Sequence, residues 1–127
     1  IYFKILQGNI AITNSIVVVD DEPDLIVLFK DALVSHRYGV DTFTDPLEAV
    51  AHVKINPEQY NLLITDYRMP HLDGYEFALR IKKLNKKIKI ILITAYNNIK
   101  DYKGEFELLK KPIPIQTLLD KVKENVK

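Results

Sequence analysis

From Ser15 onward, short uninterrupted apolar runs alternate with stripes of apolar residues at helical spacing. Ile16-Val17-Val18-Val19 is the first such run and closes on Asp20 and Asp21. Its unbroken apolar character fits a strand buried on both faces, as in a parallel sheet. Pro23 then opens a helix whose stripe is Leu25, Leu28, Phe29, Ala32 and Leu33, and Gly39 closes that unit. Val40 to Phe43 reads as a second strand. Asp45, Pro46 and Glu48 supply an N-cap, an N1 proline and an N3 carboxylate for a second helix that carries Leu47, Val50 and Ala51 inward. Leu62-Leu63-Ile64-Thr65 forms a third strand that ends at Asp66, and a loop through Pro70 and Gly74 leads to a third helix with Phe77, Ala78, Ile81 and Leu84 inward. Ile88 to Ile93 is the fourth strand, with Thr94 at its end. Phe106 to Leu109 is the fifth, running into Lys110-Lys111-Pro112, and a last helix shows Ile115, Leu118, Leu119, Val122 and Val126 on one face. Strand and helix in alternation predict βαβ units building a doubly wound parallel α/β sheet of five strands.

Composition narrows the class without changing this picture. The 127 residues suffice for one domain, and 47% hydrophobic with 28% charged residues is a globular balance. No apolar run approaches the ~20 residues of a membrane helix. The formal net charge of +1 argues against bulk attraction to nucleic acid or anionic lipid. Lys82, Lys83, Lys86, Lys87 and Lys89 form a local basic stretch, which reads as a solvated helix end and loop. Cysteine is absent, which suits a cytoplasmic location. Ile1 to Asn14 carries neither a basic leader nor a small-residue cleavage site, so it reads as an N-terminal extension, either an extra strand or residue foreign to the domain, ahead of a domain spanning 15–127.

Candidate chemistry gathers at the strand ends. In a parallel sheet the carboxyl ends of the strands open onto the crevice where ligands bind. Asp20, Asp21 and Asp66 would meet there, and three carboxylates at one edge repel unless a divalent cation, expected to be Mg²⁺, lies between them. Thr94 and Lys111 end the fourth and fifth strands, adding a hydroxyl and a fixed cation. Together these groups suit phosphoryl transfer: a carboxylate attacks phosphorus while cations and a hydroxyl hold the other oxygens. By position Asp66 is the nucleophile, Asp21 a direct metal ligand, Asp20 a direct or water-mediated one, and a backbone carbonyl near Arg68 completes the shell. Taken singly, each residue has a plainer reading, as a helix cap, a turn residue, a strand-end hydroxyl or a surface charge.

Four motifs carry a resemblance: Val18-Val19-Asp20-Asp21-Glu22, Asp66-Tyr67-Arg68-Met69-Pro70-His71-Leu72-Asp73-Gly74, Thr94-Ala95 and Lys111-Pro112. Over about Ser15 to Lys127 the chain resembles the receiver domains of two-component response regulators. That resemblance implies a flavodoxin-like sheet of order 2-1-3-4-5, a cis bond between Lys111 and Pro112, and Mg²⁺-dependent transfer of a phosphoryl group to Asp66 from a sensor histidine kinase or phosphotransfer protein. It also implies a conformational output to a downstream protein or effector domain. Such a domain catalyses only its own phosphorylation and dephosphorylation and turns over no external substrate.

Two departures bear on output. Only seventeen steps separate Thr94 from Lys111, fewer than the family usually has, so the family's fourth helix is expected to be shortened or missing. The position of the family's aromatic switch holds Leu108, with Phe106, Tyr102 and Tyr96 nearby. Arg68 and Tyr96 would flank the path of a hydrolytic water. Two alternatives stand beside the leading reading. One is a receiver-like interaction module that is not phosphorylated; the other is a Mg²⁺-dependent aspartyl-phosphate phosphohydrolase, which would want an acid where Arg68 stands. A homodimer through the first helix or the fourth-to-fifth region is left open.

Overall fold

The computed structural model describes residues 14–95 and 104–126. Expectations about the N-terminal extension, about Tyr96 and Tyr102, and about the shortened helix after Thr94 fall largely or wholly outside these residues. Five strands, β1 (Ser15–Val19), β2 (Gly39–Phe43), β3 (Leu62–Asp66), β4 (Lys89–Thr94) and β5 (Glu107–Lys110), form one sheet in the order β2-β1-β3-β4-β5, with every neighbouring pair parallel. The described helices are α1 (Pro23–Ser35), α2 (Pro46–Ile55), α3 (Gly74–Leu84) and α4 (Ile115–Asn125), with a 3₁₀ turn at Pro57–Gln59. The predicted flavodoxin-like order is the order observed.

Strand alternation assigns the two layers. Val17, Val19, Leu63 and Leu92 point into a core with Ala49 and Val53 of α2 and Phe77, Ala78 and Ile81 of α3. Ile16, Val18, Ile64 and Ile93 point into a second core with Ile26, Phe29 and Leu33 of α1 and Leu118 and Val122 of α4. Helices thus cover both faces, which is why the central strands are apolar at every position rather than at alternate ones.

Two helix faces differ from the sequence expectation. On α1 the buried residues are Ile26, Phe29 and Leu33, while Leu28 is 50% exposed. Apolar residues run continuously from Leu25 to Phe29, so spacing alone allowed two stripes, and the sheet selected the one centred on Phe29. On α2, Pro46, Ala49, Val50 and Val53 are buried, whereas Leu47 is 45% exposed and Ala51 faces solvent. Small Ala49 lies against the sheet where Leu47 was expected. The predicted cap is present, since Asp45 Oδ1 accepts from the Leu47 N–H at 2.9 Å. Gly39 is the first residue of β2 rather than the helix stop; the left-handed turn after α1 is made by Arg37, with φ 68°.

Candidate functional site

The carboxyl ends of β1, β3, β4 and β5 meet at one edge of the sheet. Asp66 is the last residue of β3, a strand buried at all five positions. Pairing with β1 on one side and β4 on the other holds its backbone, and Asp66 faces Ile93 in register. Asp20 follows β1 directly; its N–H donates to the Phe43 carbonyl at 3.1 Å and it is 1% exposed. Asp21 is exposed beside it. One carboxylate oxygen from each of Asp20, Asp21 and Asp66 falls within 4.8 Å of the other two.

Lys111 reaches this cluster from the end of β5. The Lys111 N–H donates to the Thr94 carbonyl at 2.7 Å, which extends the β4–β5 pairing by one step. The bond to Pro112 is cis, as expected. The ammonium lies 2.9 Å from Glu22 Oε1, 3.2 Å from Asp20 Oδ2 and 3.5 Å from Asp66 Oδ2. Thr94 is buried at the end of β4 between the two.

The electrostatics match the crowding. Burial raises the pKa of Asp66, the neighbouring charge of Asp20 raises it further, and the nearby Lys111 offsets only part, leaving it at about 6. Burial also raises Asp20, against the Glu22 N–H bonded to its Oδ1 at 2.9 Å and the charge of Lys111. For Lys111 burial disfavours the charged form, but the bond to Glu22 and the charges of Asp20 and Asp66 prevail, and its pKa is raised.

Hard oxygen donors in this arrangement fit a divalent cation of the Mg²⁺ class. The observation that tests the fit is Asp20 Oδ2. This buried oxygen lies 3.2 Å from the Lys111 ammonium, and among the described residues no hydrogen bond of full geometry reaches it, so a cation has an acceptor to meet there. Arg68 stands two residues after Asp66 in the exposed loop that precedes α3.

Of the residues singled out in the sequence, Asp20, Asp21, Asp66 and Lys111 are brought together by measured approaches, and Thr94 ends the strand between β3 and β5. Two further residues shape the site. Glu22 belongs to the first motif, but its ion pair with Lys111 spans 89 positions and has no local signal. In the sequence Gly74 reads as part of a loop. In fact a Cβ there would stand 2.0 Å from the Asp66 carbonyl oxygen and 2.8 Å from Tyr67 Cα, so only glycine lets the start of α3 close on the strand that carries Asp66. The Gly74 N–H donates to the Tyr67 carbonyl at 2.8 Å, and Asp73 caps the helix by accepting from the Tyr75 N–H.

Comparison with known proteins points the same way. The family described as "Response regulator receiver domain" matches residues 16–123. The transcriptional regulatory protein GlrR of Escherichia coli (strain K12) is 32% identical over 103 residues, 77% of this chain and 23% of GlrR. The sensor protein EvgS of the same strain is 37% identical over 81 residues, 64% of this chain and 7% of EvgS. This chain therefore spans a small part of those two relatives, whereas it covers 93% of the response regulator receiver protein CpdR of Brucella abortus at 28% identity over 86% of its own length. Among solved structures, a response regulator receiver domain protein from Clostridium thermocellum superposes with a TM-score of 0.81 at 26% identity, covering 89% of this chain and 94% of the other. A CheY-like receiver domain protein from Methanospirillum hungatei JF-1 gives 0.81 at 27%, covering 89% and 93%.

Proposed function

Because this chain belongs to the response regulator receiver domain family, we propose that residues 15–127 form a phosphoacceptor unit in which Asp66 takes a phosphoryl group from a histidine kinase or phosphotransfer protein and passes a change of state to a downstream partner. The observation that supports the assignment of Asp66 is its place: the last residue of the central strand, within reach of two further carboxylates and 3.5 Å from a lysine ammonium.

In this reading a carboxylate oxygen of Asp66 attacks the phosphorus of a phosphohistidine. The new O–P bond forms as the P–N bond breaks, and the electron pair leaves with the imidazole. Asp20, Asp21, Asp66 and the backbone carbonyl of Arg68 would hold Mg²⁺, which when bound neutralises carboxylate and phosphoryl charge. Lys111 then binds a phosphoryl oxygen, and the Thr94 hydroxyl binds another. The burial that raises Asp20 and Asp66 also keeps the site's charges at low dielectric, where a fixed ammonium acts most strongly. Chemistry of this kind acts on the domain itself, and the family is one of signalling domains. Among the described residues no helix is long and apolar enough to cross a membrane; a cytoplasmic location belongs to the same proposal.

Incubation with Mg²⁺ and acetyl phosphate, followed by intact-mass measurement, tests it. One phosphoryl adduct is expected on the wild-type chain and none on Asp66→Asn or after chelation of the metal. An adduct that persists in Asp66→Asn would move the acceptor elsewhere. Absence of any adduct would favour an interaction module, and continuous release of phosphate from a phosphate ester would favour a phosphohydrolase. Asp21→Ala is expected to weaken Mg²⁺ binding more than Asp20→Ala.

A further inference from the structure

Lys111 has three carboxylates around it, and the nearest is not one of the proposed metal ligands. Glu22 Oε1 accepts a hydrogen bond from Lys111 Nζ at 2.9 Å, against 3.2 Å to Asp20 and 3.5 Å to Asp66. Of the three contacts the one to Glu22 is the shortest and meets full hydrogen-bond geometry, while Asp20 and Asp66 stand at longer ion-pair distances. The Glu22 carboxylate stands at the mouth of the site with 64% of its side chain exposed, while Lys111 is 16% exposed. Its backbone is fixed by the bond from its N–H to Asp20 Oδ1 and by its place as N-cap of α1. The ammonium in the resting domain therefore leans outward, toward Glu22.

We infer that Glu22 is a positioning residue that restrains phosphorylation of Asp66: it holds the Lys111 ammonium away from the incoming phosphoryl oxygens and sets a negative charge at the mouth through which an anionic donor enters. The inference rests on the phosphoacceptor reading of Asp66. Both effects act in one direction. For transfer, Lys111 must exchange its nearest acceptor for a phosphoryl oxygen, and a donor carrying negative charge must pass a carboxylate that binds no metal in this scheme. Because Glu22 is solvated, the restraint is modest, of the size an exposed ion pair supports.

Glu22→Gln keeps the shape and removes the charge. With Mg²⁺ and acetyl phosphate at low salt, its adduct is expected to form about two- to fivefold faster than on the wild-type chain. The advantage is expected to shrink at 1 M salt, where the Debye length falls to about 3 Å; a purely structural role would not respond to salt. The acceleration is also expected to vanish in a Lys111→Met background, as a double-mutant cycle requires of a residue that acts through Lys111. Asp24→Asn supplies the control, since it removes an exposed acid of the first turn of α1 that makes no bond to Lys111. An equal or slower rate in Glu22→Gln would overturn the inference, as would an acceleration that survives loss of Lys111 or is matched by Asp24→Asn. In each of those results the wild-type adduct forms and the phosphoacceptor reading stands. A wild-type chain that forms no adduct would overturn both.

Discussion

The central strand β3 and the edge strand β5 contribute opposite halves of the site and are built differently. All five residues of β3 are buried, and it is hydrogen-bonded on both sides. β5 has four residues that alternate between half-buried and exposed, pairs among the described residues only with β4, and carries Leu108 at 37% exposure. Asp66 thus sits on a strand that neither shifts nor frays cheaply, whereas Lys111 extends from one with less apolar surface to hold it. The proposed phosphoacceptor role calls for a fixed nucleophile and a cation that can change partners, and this division of the sheet suits both.

The sharpest test of that contrast is in the core. Ile64→Ala in β3, fully buried between β1 and β4, is expected to cost about 2–5 kcal/mol in urea unfolding. A cost under about 1 kcal/mol would erase the distinction. Gly74→Ala comes next, at about 1–3 kcal/mol, because its Cβ would overlap the Asp66 carbonyl oxygen. It should also slow adduct formation, and an unchanged rate would show that the start of α3 does not brace Asp66.

A third prediction concerns pH and metal. Between about 4 and about 6 the native chain keeps a proton on Asp66 that the unfolded chain has lost, so metal-free stability falls as pH rises through that window. In the proposed site Mg²⁺ would compete for the same carboxylate, so its affinity is expected to be about tenfold weaker near pH 5 than near pH 7, and chelation should remove its thermal stabilisation mainly at the higher pH. Equal affinity at both pH values would place the metal away from Asp66. The smallest effect is expected on the edge strand, where Leu108→Ala should cost under about 1 kcal/mol; a loss as large as that of Ile64→Ala would mean the edge is as rigid as the centre.

Much of this could be read in advance because the informative residues end strands. Asp66 and Thr94 end strands β3 and β4, while Asp20 and Lys111 directly follow β1 and β5, and in a parallel sheet such positions share one edge whatever the loops do. The cap at Asp45 was legible for a similar reason, since an N-cap is local chemistry. Helix faces were less so. Leu28 and Leu47 lie on plausible apolar stripes but are exposed, because apolar neighbours in α1 and small alanines in α2 let more than one stripe face inward.

What the chain of residues by itself determined is the order of elements, the parallel sheet and the convergence of an acid trio with a threonine and a lysine, since period and strand-end position are local properties. Only the tertiary structure decided that Ile26 and Ala49, rather than Leu28 and Leu47, face the sheet, that residue 74 must lack a Cβ, and that Glu22 accepts the shortest hydrogen bond of Lys111. Each of those depends on how closely two elements distant in sequence approach, and tenths of an ångström between backbones or charges are set by packing across the whole sheet.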